Sequence, residues 1–200
     1  MVRKIAVVNF IDSDRTLLAK ALSCASGYQL VQNKNIYEWI KQFHIDENKL
    51  YNWENQFLLI SLSFVKRIKT EFQFSTFISN GAAFTEALSL QSKHNNKAIE
   101  LYQPQEKAIL KNLLKITGKY AAKYYDTVIH IQNAEAAEFD KLSVKFYNKH
   151  HIPYKLYNSG HSLKDVFETI ISEVEIPQIL LADNAIYEAE HLVNFKTWKS

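Results

Sequence analysis

The chain has 200 residues, of which 47% are hydrophobic and 22% are charged. This composition is that of a globular protein with a substantial core, which excludes a disordered chain. The net charge of +3 is too small to indicate a nucleic-acid partner by itself. A single cysteine, Cys24, excludes an internal disulfide, and the N-terminal apolar run is too short for a signal peptide or a membrane span. We therefore expect a cytoplasmic protein.

Short apolar runs alternate with longer helical segments along the chain. The predicted strands are 4–9, 28–32, 75–81, 126–132 and 152–158. The predicted helices are 16–25, 36–43, 52–72, 105–125, 134–149 and 162–174. Strands separated by helices need crossover connections, which predicts a parallel sheet. Residues 177–200 lie beyond this pattern and are expected to form an appended helix or arm.

Two of the helices have apolar residues at helical spacing, which predicts their buried faces. In the 52–72 helix the predicted buried residues are Trp53, Phe57, Ile60, Phe64 and Ile68. In the 105–125 helix they are Ile109, Leu113, Ile116 and Tyr120.

The segment that follows the first strand has the setting of a phosphate-binding loop. Such a loop has the pattern G-x-x-x-x-G-K-[ST], with backbone amides and a lysine on the phosphates and a hydroxyl on magnesium. Aligned with that pattern, Asn9 and Asp14 replace the glycines, Arg15 replaces the lysine and Thr16 supplies the hydroxyl. Ser13 falls at the last variable position, so Thr16 alone matches the pattern.

Asp14 is the substitution most damaging to phosphate binding. A carboxylate about 5 Å from a phosphate oxygen costs roughly 3 kcal/mol at an effective dielectric of about 20, which is about a hundredfold in affinity. Aspartate is also a favourable cap for the helix predicted from Thr16. The loop is therefore not expected to bind nucleotide in the ordinary way.

The chain resembles the nicotinamide-riboside-kinase-like branch of the P-loop NTPases over residues 3–174. The segments that carry the resemblance are "KIAVVNFIDSDRTLLAKAL", "FISNGAAFTEALSL", "YYDTVIHIQ" and "IPYKLYNSGHSLKDVFETI". The resemblance implies a three-layer α/β fold in which helices flank a mainly parallel sheet on both faces. It implies a degenerate kinase-like domain over 1–176, followed by a C-terminal helical arm over 177–200.

The same resemblance assigns roles to the site residues. Thr16 and Asn80 occupy the magnesium positions, but the family has an aspartate where this chain has Asn80. The family's lid carries arginines, whereas residues 132–152 have none. Arg15 and Asn80 are the candidate catalytic residues. The combined changes favour a pseudokinase that acts as an interaction or regulatory module and needs no cofactor.

Two other functions remain open. One is an active ATP-dependent nucleoside or nucleotide kinase, in which ATP and magnesium bind at Arg15 and Thr16. The other is a binder of nucleic acid or another anionic surface. It would use a basic ribbon on the long helix, formed by Lys107, Lys111, Lys115, Lys119 and Lys123. Because a solvated face explains the ribbon and no nucleic-acid motif accompanies it, we do not expect a nucleic-acid partner.

Several smaller patterns have ordinary structural explanations. The histidine spacings do not fit a metal site, and Lys141, Lys145 and Lys149 are expected on a solvated face. Asp12, Asp14 and Glu86 would meet at the carboxyl edge of the sheet only if the fold is right. The apolar residues of the tail are Leu180, Leu181, Ile186, Leu192, Phe195 and Trp198. They either cover the sheet edge or contact a protein partner, and the partner expected first is a second copy of the chain in a homodimer.

Overall fold

The computed structural model describes residues 2–9, 12–32, 40–46, 52–95, 104–158 and 160–191, with residues 12–14 described for the backbone alone. Five strands form one sheet: β1 (Lys4–Val8), β2 (Gln29–Val31), β3 (Phe77–Asn80), β4 (Thr127–Gln132) and β5 (Tyr154–Asn158). The helices are α1 (Asp12–Ser26), α2 (Trp53–Glu71), α3 (Thr85–Asn95), α4 (Pro104–Tyr124), α5 (Ala137–His150), α6 (Leu163–Val174) and α7 (Ala182–His191). A 3₁₀ turn at Ala134–Ala136 precedes α5.

The sheet order is β2-β3-β1-β4-β5, and every strand pair is parallel. Side chains of β1 alternate between two apolar clusters, with Ile5 and Val7 on one face and Ala6 and Val8 on the other. Helices α1, α6 and α7 contribute to the first cluster, and α4 and α5 to the second. A strand buried on both faces requires helices on both sides, so the prediction of a three-layer α/β fold with a parallel sheet is confirmed.

Most predicted elements are present, but their boundaries and buried faces show where the sequence patterns were wrong. All five strands form, and each is one to three residues shorter than predicted. Helix α3 was not predicted. The predicted helix 36–43 lies partly outside the described residues, and its residues 40–42 are helical. Among the helices that the structure describes, none is long and apolar enough to cross a bilayer.

Half of the stripe predicted for α4 is confirmed, since Tyr120 is buried and Leu113 packs against an apolar cluster. Ile109 and Ile116 are exposed, whereas Leu110, Thr117 and Ala121 are buried. The face that packs depends on which elements surround α4. It meets α2 on one side and α5 on the other, and this turns the isoleucines outward. In α2 the predicted stripe is correct, since Phe57 and Ile60 are buried and Trp53, Phe64 and Ile68 pack against apolar clusters.

The C-terminal helix α7 packs mainly against α1. Ala182, Ala185 and Ala189 are buried in the same cluster as Leu18 and Leu22. Helix α7 therefore does not cover the sheet edge, which was one of the two predicted positions. Its small side chains allow it to lie close against α1 instead. Leu180 and Ile186 are partly buried there and Leu181 is exposed, while Leu192, Phe195 and Trp198 lie outside the described residues. A protein partner for this segment stays a prediction.

Candidate functional site

The candidate site lies at the carboxyl edge of β1 and β3, which pair with Val7 opposite Asn80. The parallel register places the end of β1 and the turn after β3 side by side. The amide N–H of Gly81 donates to the carbonyl of Val7 at 2.8 Å, which joins the two strand ends. Helix α1 starts just beyond this edge and brings Arg15 and Thr16 to the same place.

The start of α1 differs from the prediction. The helix begins at Asp12, four residues before the predicted start at Thr16. Asp14 therefore lies within the first turn and does not precede the helix as a cap. Only residues 9–11 separate β1 from α1. The segment contains no glycine, so it lacks the residue that adopts at least cost the left-handed backbone conformations of a phosphate-binding loop.

Three of the predicted site residues form one hydrogen-bonded chain. Arg15 Nε donates to Asn80 Oδ1 at 2.8 Å, and Asn80 Nδ2 donates to Thr16 Oγ1 at 2.9 Å. Arg15 also reaches the Asn9 carbonyl, with Nη1 at 3.4 Å. An aspartate at position 80 would accept from Arg15 but has no hydrogen to donate to Thr16. The asparagine amide thus links the two residues that the family pattern aims at phosphate and magnesium.

These residues do not fit a magnesium ion. Magnesium favours carboxylate, phosphate and water oxygens in octahedral geometry. The Asn80 amide oxygen already accepts from a guanidinium, and the Thr16 hydroxyl accepts from an amide N–H. A dication beside Thr16 would meet the positive end of the Asn80 amide and lie close to Arg15. The side chains of Ser13 and Asp14 are not described, so the full predicted loop set is not placed.

A second guanidinium, that of Arg67, reaches the same turn from α2 and is almost fully buried. Its Nη1 donates to the Ser79 hydroxyl and the Gly81 carbonyl, and its Nη2 donates to the Asn80 carbonyl. A Cβ placed on Gly81 would lie 3.2 Å from Arg67 Nη2 and 3.6 Å from Arg15 Cζ. Two of the three arginines in the chain therefore converge on Gly81.

Glu71 completes a buried polar network one turn after Arg67. Its carboxylate accepts from the hydroxyls of Ser79, Tyr120 and Tyr125 at 2.6–3.0 Å. The Tyr125 hydroxyl in turn accepts from the Ala83 N–H at 2.9 Å. The network thus fixes the backbone from Ser79 to Ala83.

The charges of this network oppose the cost of burying it. Burial raises the pKa of Glu71, and Arg67 and the three hydroxyl donors act in the opposite direction. Burial disfavours the charged form of Arg67, but Glu86, Tyr125 and Glu71 outweigh it, so the pKa of Arg67 is raised. One signal for this network is visible in the sequence. Arg67 and Glu71 are spaced i, i+4 on the predicted buried side of α2, where charged residues need partners.

Glu86 is the acid of the predicted Asp12, Asp14 and Glu86 group that the structure places. Its Oε1 accepts from the Ser63 hydroxyl at 3.2 Å and lies 3.7 Å from Arg67 Nη2. The side chains of Asp12 and Asp14 are not among those that the structure describes, so the predicted meeting of the three acids stays a prediction. Within the described residues, no three histidine, cysteine or acidic side chains cluster as metal ligands.

A separate buried cluster anchors α5 to the sheet. His130 Nε2 lies 2.9 Å from Asp140 Oδ1, and its Nδ1 lies 2.7 Å from the Tyr147 hydroxyl. Asp140 Oδ2 also accepts from the Asn133 N–H at 2.8 Å. Because a carboxylate oxygen accepts, the hydrogen of the contact with Asp140 lies on Nε2. His130 is inaccessible to solvent, so this cluster is structural.

The remaining predicted features lie outside the candidate site. All five lysines of the α4 ribbon are exposed, as are Lys141, Lys145 and Lys149 on α5. Cys24 lines a surface pocket of about 380 Å³ with Leu180, Asn184, Tyr187 and Glu188. Burial raises the pKa of the Cys24 thiol, and the negative charge of Glu188 adds to this effect, so a reactive thiolate is disfavoured.

The strand order, the parallel register and the position of α1 define a P-loop kinase-like α/β fold. The structure of deoxyadenosine kinase from M. mycoides with bound dATP is similar, with a TM-score of 0.64, 14% sequence identity, and coverage of 86% of this chain and 99% of that one. The same enzyme with bound dCTP gives a TM-score of 0.61 at 13% identity, with coverage of 86% and 98%. At these identities the likeness shows the fold. No protein-family model and no curated protein matches the sequence.

Proposed function

We propose that this chain is a P-loop kinase-like protein that does not transfer phosphoryl groups and acts as an interaction or regulatory module. The observation that carries the proposal is the start of α1 at Asp12, which leaves residues 9–11 as the connection from β1. A phosphate-binding loop surrounds the phosphates with successive amide groups from an eight-residue motif. Here most of the corresponding residues belong to the helix.

The hydrogen bonds of the site support the same proposal. Hydrogen bonds join Arg15, Asn80 and Thr16, so a phosphate on Arg15 Nε or a magnesium ion on Thr16 Oγ1 would have to compete with them. Each such bond contributes about 0.5–1.5 kcal/mol net, and somewhat more where a charged group takes part. Asn80 also removes the carboxylate that would hold a metal ion. Binding and transfer are therefore disfavoured together.

The test is to measure nucleotide binding and phosphoryl transfer on the full-length protein. Calorimetry and thermal-shift measurements with ATP, dATP and dCTP, with and without magnesium, are expected to show no saturable binding in the micromolar range. Incubation with deoxyadenosine and labelled ATP is expected to give no deoxyadenosine monophosphate. The M. mycoides enzyme, assayed in parallel, is the positive control. Micromolar Mg-ATP binding together with nucleoside phosphorylation would overturn the proposal.

A second candidate function is an active nucleoside kinase with an unorthodox loop. The partly exposed guanidinium of Arg15 at this edge of the sheet favours it, because guanidinium groups bind phosphate well. In this case ATP raises the melting temperature, and Arg15→Ala abolishes that increase. The absence of any ATP effect on the unmodified protein excludes this candidate.

Restoring the family residues gives a further comparison between the two candidates. If the loop has lost its function, Asp14→Gly combined with Asn80→Asp is expected to raise ATP affinity. If the existing loop is functional, the same pair disrupts the Arg15–Asn80–Thr16 chain and lowers affinity.

A further inference from the structure

The paired outer surface of α2 and α4 exposes an unusual number of large apolar side chains. Val65, Phe72 and Ile116 are 63%, 57% and 53% exposed, and Leu58 and Ile109 are exposed as well. Isolated exposed apolar residues are ordinary, whereas a contiguous set points to an interface. These five residues are called the apolar ridge below.

Seven-residue spacing places the ridge residues on one line along each helix. Leu58, Val65 and Phe72 are seven residues apart on α2 and its C-cap, and Ile109 and Ile116 are seven apart on α4. Residues spaced by seven recur on nearly the same helical face. Over residues 58–72 the line is about 21 Å long, at about 1.5 Å of rise per residue.

The two lines lie next to each other because of how α2 and α4 pack. The Phe72 ring meets the rings of Tyr120 and Tyr124, with centroids 6.2 and 4.8 Å apart. Tyr120 is one turn after Ile116, so Ile116 lies on the side of α4 that faces α2. Near the other end, Phe57 and Leu110 share one apolar cluster. The two helices therefore run in the same direction, and their ridge residues follow each other at similar heights.

The exposed charge on α2 and α4 is mainly positive. The exposed lysines of the two helices are Lys66, Lys69, Lys107, Lys111, Lys115, Lys119 and Lys123. Two acids of these helices, Glu71 and Glu106, are buried, and Glu54 is exposed at the start of α2. None of the ion pairs within the described residues uses these lysines. An occupant of the ridge therefore meets positive charge at its margins.

We propose that the apolar ridge binds an amphipathic helix of another protein, whose apolar stripe is bordered by glutamate or aspartate. A third helix with heptad spacing would insert its apolar side chains between the two lines of ridge residues. Its acidic margins would complement the lysines, which favours the correct partner and speeds association.

Other occupants fit these observations less well. A second copy of this chain would place lysines against lysines around the ridge, which costs free energy. An anionic membrane complements the positive charge, but its contacts do not depend on a matching seven-residue spacing on two helices. Nucleic acid would use the lysines and leave the ridge apolar residues exposed. This surface is distinct from the candidate site, so the proposal holds whether or not the chain phosphorylates nucleosides.

The test uses a synthetic helical peptide of about 21 residues, with leucine at the a and d positions of three heptads and glutamate at e and g. Binding to the full-length protein is followed by fluorescence anisotropy of the labelled peptide. We expect saturable binding that weakens as salt rises from about 50 to about 500 mM, since part of the attraction is electrostatic. A scrambled peptide of the same composition and a peptide with lysine at e and g are expected not to bind. Equal binding of the scrambled peptide would overturn the proposal, because it would reduce the attraction to net charge.

Matched variants locate the binding surface. Val65→Glu and Ile116→Glu are each expected to weaken binding about tenfold or more, because they place a charge in the centre of the contact. Leu181→Glu, at a still more exposed apolar residue on another face, is the control and is expected to bind as the unmodified protein does. Equal melting temperatures for the three variants confirm that they are folded. Unchanged binding of both ridge variants would contradict the proposal.

Two further measurements distinguish the other occupants. Light scattering is expected to show that Ile116→Glu leaves the oligomeric state unchanged, and a dimer abolished by this substitution would assign the ridge to a second copy. Co-sedimentation with phosphatidylserine vesicles is expected to show no difference between Ile116→Glu and the unmodified protein. Vesicle binding lost in Ile116→Glu would assign the ridge to a membrane surface.

Discussion

At the scale of single residues, Gly81 is the position where the site and the core meet. Its backbone has φ of +88°, a conformation that side chains with a Cβ rarely adopt. Its N–H and carbonyl are both used, by Val7 and Arg67. The guanidiniums of Arg15 and Arg67 occupy the space beside it, so conformation and packing both require glycine here.

Gly81→Ala is expected to destabilise the protein by about 1–3 kcal/mol, from backbone strain and the close approach to Arg67. Gly160→Ala is the matched control. A Cβ at Gly160 would lie no closer than 3.4 Å to Asn158, and the backbone there does not require glycine. The free energy of unfolding from urea titrations checks both variants. Equal losses at the two positions would contradict this account of Gly81.

Arg67→Met is expected to cost about 3–5 kcal/mol, because it leaves the Glu71 carboxylate buried without its cation. Adding Glu71→Gln removes that charge and is expected to recover part of the loss, so the two effects are not additive. Lys66→Met, at the exposed neighbouring position, is the control and is expected to change stability little. Denaturant unfolding of the unmodified protein, Arg67→Met, Glu71→Gln and the double variant tests the coupling. Strict additivity of the Arg67 and Glu71 effects would show that the network is not a unit.

At the scale of whole elements, α4 and α5 meet where a glycine makes room for a histidine. A Cβ at Gly118 would lie 2.6 Å from the His150 ring. The ring also lies against Phe146, with centroids 4.5 Å apart. Partial burial, followed by Lys149 and His151, lowers the pKa of His150 below its ordinary value of 6.5. The contact between these helices therefore favours a neutral imidazole.

The lowered pKa has a defined consequence for stability. As pH falls through about 6.5, the unfolded chain takes up a proton at position 150 before the folded chain does. The stability that His150 contributes is therefore fully present above about pH 6.5. It decreases as the pH falls toward the lowered pKa of the folded state, and below that pKa it no longer changes. Urea midpoints between about pH 7.5 and 5 are expected to fall less steeply for His150→Gln than for the unmodified protein.

At the scale of the whole molecule, α7 forms part of the outer layer of the core. Its alanine face is buried against α1, and the Ile179 N–H donates to the Ala25 carbonyl at 2.6 Å just before the helix. Small side chains bring the two helices close together, so that the C-terminal segment covers apolar surface of α1. The described part of the tail is thus integral to the fold.

Ala185→Asp tests this role, since it buries an unpaired charge between α7 and α1. It is expected to destabilise the protein by at least about 3 kcal/mol, or to prevent folding. Leu181→Asp, at a residue 73% exposed, is the control and is expected to leave stability nearly unchanged. Thermal unfolding by circular dichroism distinguishes them. A normal melting temperature for Ala185→Asp would show that α7 does not depend on this contact.

The success of the sequence predictions followed the strength of local patterns. The five strands were predictable because short apolar runs between helices have few other structural uses. Helix α3 was missed because several of its buried residues are small or polar, including Thr85 and Ser92, so it has no clear apolar period. In α4 the isoleucines stood in a helical period and were still exposed, because neighbouring helices decide which face packs.

The candidate site shows the same division. The alignment of Arg15, Thr16 and Asn80 with one family pattern predicted that they belong together, and parallel pairing of β1 and β3 brings them into contact. The link through the Asn80 amide and the contributions of Arg67, Glu71 and Tyr125 could not be predicted from local spacing. Those residues come from α2 and from the short segment between α4 and β4, and they meet only once the sheet is assembled.

The sequence by itself determined the order of strands and helices, the parallel sheet and the place where a phosphate-binding loop would lie. These features depend on local periodicity and on the connections that parallel strands require. The tertiary structure alone decided where α1 begins, which face of α4 is buried and how the two guanidiniums converge on Gly81. The physical reason is that burial and hydrogen-bond satisfaction depend on residues far apart in the chain, so neither is defined until the layers have packed.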